Sequence, residues 1–204
     1  MPVSGPPPSI ISGLSVGEVA RLGQRDEVSD SDAVRAVLAG DVDQYAILVR
    51  RYRDRYARYA ARMLGSRDAA EDAVQDALIR AFDQLAACRE PAKFAGWLFL
   101  ILRNRCFAER RRWPREGRRL EDTDEAIAGP GRPDGRLEQA ERARALERAL
   151  LKLTAEQRDV FVQKHFEGLS YEEIGRTTGA SVASLKMRMH RAYDRLRELL
   201  KEHA

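Results

Sequence analysis

The chain has 204 residues and a formal net charge of +4, with 33% charged residues, 7% aromatic residues and a mean hydropathy of −0.51. This length allows one domain or two small ones, and the abundance of alanine, arginine, leucine and glutamate favours helices. The longest apolar run, residues 97–102, is far below the roughly 20 residues that span a bilayer. The two cysteines form neither a disulfide scaffold nor a metal motif. We therefore expect a helical protein of the cytoplasm without a secretion signal, a metal or a cofactor.

The first predicted segment, residues 1–28, is a flexible tail rich in proline, glycine and serine. The first helical domain is predicted over 29–113. Its first helix is expected to begin near an N-cap at Ser31. A capping box formed by Asp41 and Gln44 predicts where the second helix begins.

The third and fourth predicted helices begin near Ser66 and Pro91. Gly65 is expected to end the second helix, and Ser66 is expected to cap the third. The apolar stripe of the third helix comprises Val74, Ala77, Leu78, Ala81, Phe82 and Leu85. Pro91 is placed to open the fourth helix, which begins apolar and becomes basic from Arg103 onwards. Trp97, in its apolar part, is expected to pack in the core.

A second helical domain is predicted over 137–204, after a linker at 114–136 in which no apolar period continues. Two capping boxes mark helix starts in this domain, Thr154 with Gln157 and Ser170 with Glu173. The predicted fold class is therefore all-α, with two small domains on a flexible linker. Because the linker has few apolar anchors, we expect the free domains to move relative to each other.

Residues 170–193 have the form of a helix-turn-helix, with a short helix, a turn containing glycine and a longer helix capped by Ser181. At about 100° per residue, the buried side of the longer helix comprises Leu185, Met189, Ala192 and Leu196. The opposite side carries Ala183, Lys186, Met187, His190, Arg191 and Asp194. Side chains near the start of such a recognition helix meet base edges in the major groove. Arg188 and Arg195, on the flanks, are placed to meet phosphates.

Two parts of the chain resemble a known family. Residues 153–199, LTAEQRDVFVQKHFEGLSYEEIGRTTGASVASLKMRMHRAYDRLREL, resemble the domain of extracytoplasmic-function (ECF) sigma factors that reads the minus-thirty-five element. The stretches SRDAAEDAVQDALIRAF and FAGWLFLILRNRC resemble their N-terminal domain. The resemblance covers most of 31–113 and 137–201. It implies a sigma factor that binds core RNA polymerase, reads the minus-thirty-five and minus-ten elements and assists promoter melting.

The resemblance also implies partners and contact residues. The partners are promoter DNA, an anti-sigma factor, and core RNA polymerase through the clamp helices of its largest subunit and the flap of its second-largest. Minus-thirty-five contacts are assigned to Ser184, Lys186, Met187, Arg188, His190, Arg191 and Arg195. Many relatives have glycine and threonine where this chain has Ala183 and Ser184, and Met187 also departs from the common pattern. The promoter sequence therefore cannot be carried over.

One face of the third helix is polar and acidic, apart from the apolar stripe. It carries Asp72, Gln75, Asp76, Ile79 and Asp83. A polar-acidic face with one aliphatic residue suits docking on a basic partner helix, although a purely solvated face has the same pattern. The resemblance implies that this face, together with Glu71, binds the clamp helices of the polymerase.

The basic fourth helix is the remaining candidate site. In the family, the matching helix melts the minus-ten element and holds flipped bases. The resemblance matches Asn104 to an asparagine that pairs with a base edge, and Phe99 to an aromatic position. A melted strand also needs a basic track. The residues that would supply the track are Arg103, Arg105, Arg110, Arg111 and Arg112.

Three other interpretations compete with this one. A LuxR-type helix-turn-helix transcription regulator usually carries an α/β receiver domain, but this N-terminal half has no strand pattern, and substantial sheet in circular dichroism would revive that class. An enzyme is disfavoured because the sequence has no glycine-rich phosphate loop, metal cluster or nucleophile–base motif. A helical adaptor would have basic stretches that are only solvated faces. A steep loss of DNA affinity with salt would count against the adaptor, because phosphate neutralisation releases counterions.

Overall fold

Helices make up most of the described chain, residues 28–112 and 136–201, in the computed structural model. These ranges contain eight α-helices and no strand, which confirms the all-α class. In chain order the helices are α1 Asp30–Leu38, α2 Tyr45–Leu64, α3 Arg67–Asp83, α4 Phe94–Arg112, α5 Arg136–Leu151, α6 Ala155–His165, α7 Tyr171–Thr178 and α8 Val182–Lys201. None of them is long and apolar enough to cross a membrane. The predicted tail and linker fall almost entirely outside the described residues.

Most helix ends follow the predicted caps. Gly65 ends α2 in a left-handed conformation, with φ at 71°, and the Ser66 hydroxyl accepts the Ala69 N–H to start α3. Both capping boxes predicted in the second domain are formed reciprocally, at the starts of α6 and α7. The Ser181 hydroxyl accepts the Ser184 N–H at 3.2 Å, as a cap of α8 should. Local side-chain chemistry therefore sets these boundaries.

Two predicted helix starts were wrong. Helix α1 is capped by Ser29, whose hydroxyl accepts the Asp32 N–H, and Ser31 lies inside the helix. Asp41 and Gln44 form no capping box, because their side chains bond each other at 3.1 Å instead of capping the backbone. A short 3₁₀ turn, Val42–Gln44, therefore precedes α2.

The chain before α4 also differs from the prediction. Pro91 opens a second 3₁₀ turn, Pro91–Lys93, and α4 itself begins at Phe94.

Helices α1 to α4 enclose the first core. Tyrosines of α2 line its centre, with Tyr59 fully buried and Tyr56 stacked on Tyr52 at 5.4 Å between ring centroids. Trp97 packs against this core while partly exposed, in agreement with its predicted structural role. Phe82 was predicted to be buried but is 38% exposed, edge-on to Tyr45 at the rim.

Helices α5 to α8 enclose the second core. The predicted buried side of α8 is confirmed, since Leu185, Met189, Ala192 and Leu196 are all at most 5% exposed. Ile174 of α7 and Leu150 of α5 complete the centre of the cluster. The recognition helix is therefore held along one side, which leaves the other side to solvent.

The two domains contact each other through several helices: α5 and α6 lie against α2, α7 lies against α4, and Asp159 of α6 bonds Arg103 of α4. Val162 of α6 is fully buried in the first core rather than the second. At the end of α2, a Cβ on Gly65 would lie 2.3 Å from Cδ2 of Leu151 in α5. Gly65 therefore serves both a left-handed backbone and a close approach of the second domain.

Candidate nucleic-acid and polymerase interfaces

The helix-turn-helix is formed by α7, a tight turn and α8. Gly179 ends α7 in a left-handed conformation, with φ at 74°. Within α7, a Cβ on Gly175 would lie 2.8 Å from the Ala180 carbonyl oxygen, so a glycine lets the turn fold back onto the helix. These two glycines and the Ser181 cap fix the direction in which α8 leaves the turn.

The outward side of α8 carries the predicted minus-thirty-five residues. Lys186, Met187, His190 and Arg191 are exposed, whereas Ser184 and Arg188 are half-buried on its borders. Lys186 and Arg191 form no side-chain hydrogen bond or ion pair within the described part of the chain. Two flexible cations on the exposed side of the first half of α8 are therefore available for an anionic partner.

Other exposed residues of α8 pair with one another. His190 Nδ1 lies 2.9 Å from Asp194 Oδ2, and Asp194 also accepts a hydrogen bond from Arg197 at 3.1 Å. Arg195 pairs with Glu198 at 2.9 Å. These pairs are exposed, so they contribute little stability and exchange readily with other anions.

The predicted polymerase face of α3 is largely open to solvent. Glu71, Asp72, Gln75 and Ile79 are exposed, with Ile79 at 51%. Asp76 differs because its carboxylate accepts a hydrogen bond from Arg105 of α4 at 2.8 Å. Phe82, one turn beyond Ile79, is also exposed and adds an apolar ring that the sequence pattern had assigned to the core.

The predicted minus-ten residues of α4 fall into two groups. Asn104, Arg111 and Arg112 are exposed, as a strand-binding surface requires. Arg105 is only 19% exposed and donates to Asp76 and to Glu109, and the hydrogen bond to Asp76 is the main cause that raises its pKa. Phe99 is buried, edge-on to Tyr59 with 4.8 Å between centroids, so its ring stacks in the core and not on a base.

The remaining arginines of the predicted track contact the second domain. Arg103 Nε donates to Asp159 Oδ2 at 2.7 Å. Arg110 donates to the carbonyl oxygens of Met63 and Leu153, at 3.1 and 2.8 Å. In this arrangement the basic track is therefore partly covered by α6 and the residues before it.

Two family models match the chain in the order in which its domains occur. Sigma-70 region 2 matches residues 48–115, and Sigma-70, region 4 matches residues 143–196. The ECF RNA polymerase sigma factor SigE of Mycolicibacterium smegmatis is 35% identical over 185 residues, covering 87% of this chain and 72% of that protein. The chain belongs to the ECF RNA polymerase sigma factors. The SigW sigma factor of Bacillus subtilis is 30% identical over 83% of this chain and 95% of its own.

Solved structures give this sigma factor the same fold. CnrH, in complex with the cytosolic domain of CnrY, matches with a TM-score of 0.60 and 27% identity, over 86% of this chain and 99% of the other. RpoE of Bartonella quintana, in complex with the anti-sigma factor NepR, matches with a TM-score of 0.54 and 31% identity, over 79% and 97%. These likenesses confirm a helical sigma factor of two domains.

The sigma factor also has a buried polar cluster that the sequence analysis did not identify. The Asp159 carboxylate accepts hydrogen bonds from Tyr59 and Gln163, each at 2.7 Å, in addition to the ion pair with Arg103. Burial, followed by the nearby Asp159 charge, raises the pKa of Tyr59 well above its usual value, so the phenol keeps its proton and donates. A single charged residue within α6 gives no sequence signal for such a role.

Proposed function

We propose that this sigma factor binds core RNA polymerase through α3, recognises the minus-thirty-five element through α8 and assists melting of the minus-ten element through α4. The observation that carries the proposal is the division of α8 into a buried side and an exposed side, on which Lys186 and Arg191 have no partner among the residues that the structure describes. A helix of this kind, held by a helix-turn-helix, presents its first turns to the major groove. No finding favours a LuxR-type regulator.

Polymerase binding is assigned to the exposed face of α3. Its acidic residues share an exposed helix with the apolar side chains of Ile79 and Phe82. An apolar centre with a charged rim is the usual composition of a protein interface, and acidic residues select a basic partner. The expected partner is the clamp-helix coiled coil of the largest polymerase subunit, with the flap of the second-largest subunit as the contact of the second domain.

Melting is assigned to the exposed part of α4. Asn104 can offer its amide to a base edge, and Arg111 and Arg112 can follow the strand. Arg103 and Arg110 join this surface only after they leave their contacts with the second domain.

An anti-sigma factor is the proposed regulator. CnrH and the Bartonella RpoE, which share the fold of this chain, were each solved with a protein partner, the cytosolic domain of CnrY and the anti-sigma factor NepR. We expect a partner of the same class to bind this chain and to compete with core polymerase.

The polymerase assignment is tested by reversing one charge. Asp72→Lys is preferred to a change at Asp76, because Asp76 also pairs with Arg105 inside the domain. We expect Asp72→Lys to weaken binding to core polymerase by about tenfold or more, equal to about 1.4 kcal/mol, because it places like charges in contact. Binding is measured by fluorescence anisotropy of labelled sigma factor, and run-off transcription from genomic fragments measures the functional loss.

The matched control is Asp54→Lys, which makes the same charge change at an exposed position of α2 outside the predicted face. It should bind polymerase as the parent does. Equal affinity of both variants and the parent would remove α3 from the polymerase interface, whereas equal weakening would show only a response to net charge.

A further inference from the structure

The contact between the two domains is centred on one buried carboxylate. Asp159 of α6 is 3% exposed and accepts hydrogen bonds from Arg103 of α4 and Tyr59 of α2, both in the other domain. The guanidinium of Arg103 also lies over the Phe107 ring, 4.3 Å from its centroid, and its side chain is only 15% exposed. The guanidinium of Arg103 therefore lies between the Asp159 carboxylate and the Phe107 ring, and its Nε already donates to that carboxylate.

A second contact lies beside the first. Arg110 of α4 donates to the Leu153 carbonyl of the second domain, and Arg158 of α6 donates to the Met63 carbonyl of the first at 2.7 Å. Arg55 and Glu167 pair across the rim at 2.8 Å. Together with the Arg103–Asp159 pair, these contacts hold α6 and the residues on either side of it against α2 and α4.

The interface also contains a group that favours its opening. Arg158 is 2% exposed, and its Nε has no hydrogen-bond partner among the described residues. Burial, with Arg110 as a second cause, lowers the pKa of Arg158 well below its usual value. Within the described ranges this guanidinium has one carbonyl acceptor, Met63, and no carboxylate. Its burial is therefore costly, and it regains water when the domains separate.

We propose that the second domain is an internal inhibitor of DNA binding by the first, in which the Asp159 carboxylate takes the position of a DNA phosphate at Arg103. The domains must then separate before α4 can hold a melted strand. This inference rests on the proposed role of α4 in minus-ten binding. It adds a closed state in which two of the cations assigned to that role, Arg103 and Arg110, are occupied by the protein itself.

The test compares Asp159→Asn with Glu156→Gln in the full chain. Asn keeps the shape of Asp159 but leaves Arg103 buried without an anion, so the closed state should lose most of its stability. Glu156→Gln removes the same charge from an exposed position of the same helix. Small-angle X-ray scattering measures opening, and fluorescence anisotropy measures binding of a labelled single-stranded DNA pool of mixed sequence.

We expect Asp159→Asn to have a larger radius of gyration and to bind the oligonucleotide about tenfold more tightly, because affinity scales with the fraction of open molecules. Glu156→Gln should match the parent in both measurements. Adding Arg103→Ala to Asp159→Asn should abolish most of the gain, which shows that the gain arises at α4. Tyr59→Phe, which deletes only one hydroxyl donor, should give a smaller change in the same direction and serves as the second variant if Asp159→Asn does not fold.

Three results would overturn the inference, and they differ in what they say of the proposed function. If neither Asp159→Asn nor Tyr59→Phe opens the chain, Asp159 does not hold the domains together. If Asp159→Asn opens the chain and the oligonucleotide binds it no better than the parent, the contact is not inhibitory although α4 binds DNA. If neither form binds the oligonucleotide while both bind core polymerase, the assignment of α4 to the melted strand is itself wrong.

Discussion

The exposed residues of α8 differ in what their loss should do to promoter choice. Arg191 lies on the outward side and has no partner within residues 28–112 and 136–201, and Arg188 lies half-buried on the flank. A base-reading contact costs about 1 to 3 kcal/mol when it is removed, and only at its own base pair. We expect Arg191→Ala to relax discrimination at one or two minus-thirty-five positions. Selection from randomised promoters with polymerase holoenzyme measures this.

Arg188→Ala provides the comparison. A phosphate contact supports all sequences alike, so its loss should weaken binding without changing base preference and should lower the salt slope by about one unit. If Arg191→Ala kept the parent's preferences while Arg188→Ala changed them, the rotation of α8 toward DNA would differ from the one that its exposure indicates.

At the scale of an element, a carboxylate at the start of α7 makes the stability of the helix-turn-helix depend on pH. The Glu173 carboxylate accepts the Ser170 N–H at 2.7 Å, and this hydrogen bond is the main cause that lowers the pKa of Glu173 below its usual 4.5. A lowered pKa in the folded state means that the carboxylate stabilises the fold at neutral pH. That contribution is lost as the pH falls through the folded pKa.

The chain itself suggests the variants that test this coupling. The capping box of α6 uses Gln157 in place of a glutamate, so Glu173→Gln should keep the box of α7 and remove its acid sensitivity. The difference in free energy of unfolding between parent and Glu173→Gln should shrink as the pH falls from 7 to below 4.5. Chemical denaturation at several pH values measures it. Gln157→Glu should introduce the opposite trend in α6, and a pH-independent difference for both variants would contradict the assignment.

The sequence predicted elements well where local chemistry decides them. Ser66, the two capping boxes and the buried side of α8 depend on residues within one or two turns, and a periodic pattern records them. The prediction of an N-cap at Ser31 was wrong because Ser29 competes for the same helix start. The prediction that Phe82 is buried was wrong because helical spacing cannot show where a neighbouring helix ends. The helical pattern alone decides neither which serine caps α1 nor how deeply Phe82 is buried.

For the whole molecule, the predicted linker at 114–136 remains the expected site of first cleavage. Its glycines, prolines and mixed charges are typical of segments that proteases reach first, whereas α4 and α5 on either side are helical. Limited proteolysis should yield two helical fragments, identified by mass spectrometry and circular dichroism. A single protected fragment spanning 114–136 would show that this segment is ordered.

The contact between the domains could not be predicted from the sequence. Tyr59, Arg103 and Asp159 lie far apart along the chain and on three different helices. Each resembles an ordinary surface or core residue within its own helix, and no periodicity relates one to another. Their meeting is a property of tertiary packing, as is the burial of Val162 in the core of the other domain.

Asp159 and Arg103 lie on one chain, which affects how well DNA can compete with the Asp159 carboxylate for Arg103. Two binding groups on one chain experience an effective concentration on the order of millimolar when the segment between them can span their separation. A free strand at micromolar concentration therefore competes poorly for Arg103, and dilution of the protein does not help it. A strand that polymerase already holds beside α4 competes with the Asp159 carboxylate for Arg103 at a comparable effective concentration, because the strand too is tethered. A separate peptide with the sequence of α6 would lack this advantage. It should inhibit strand binding by α4 only near millimolar concentration.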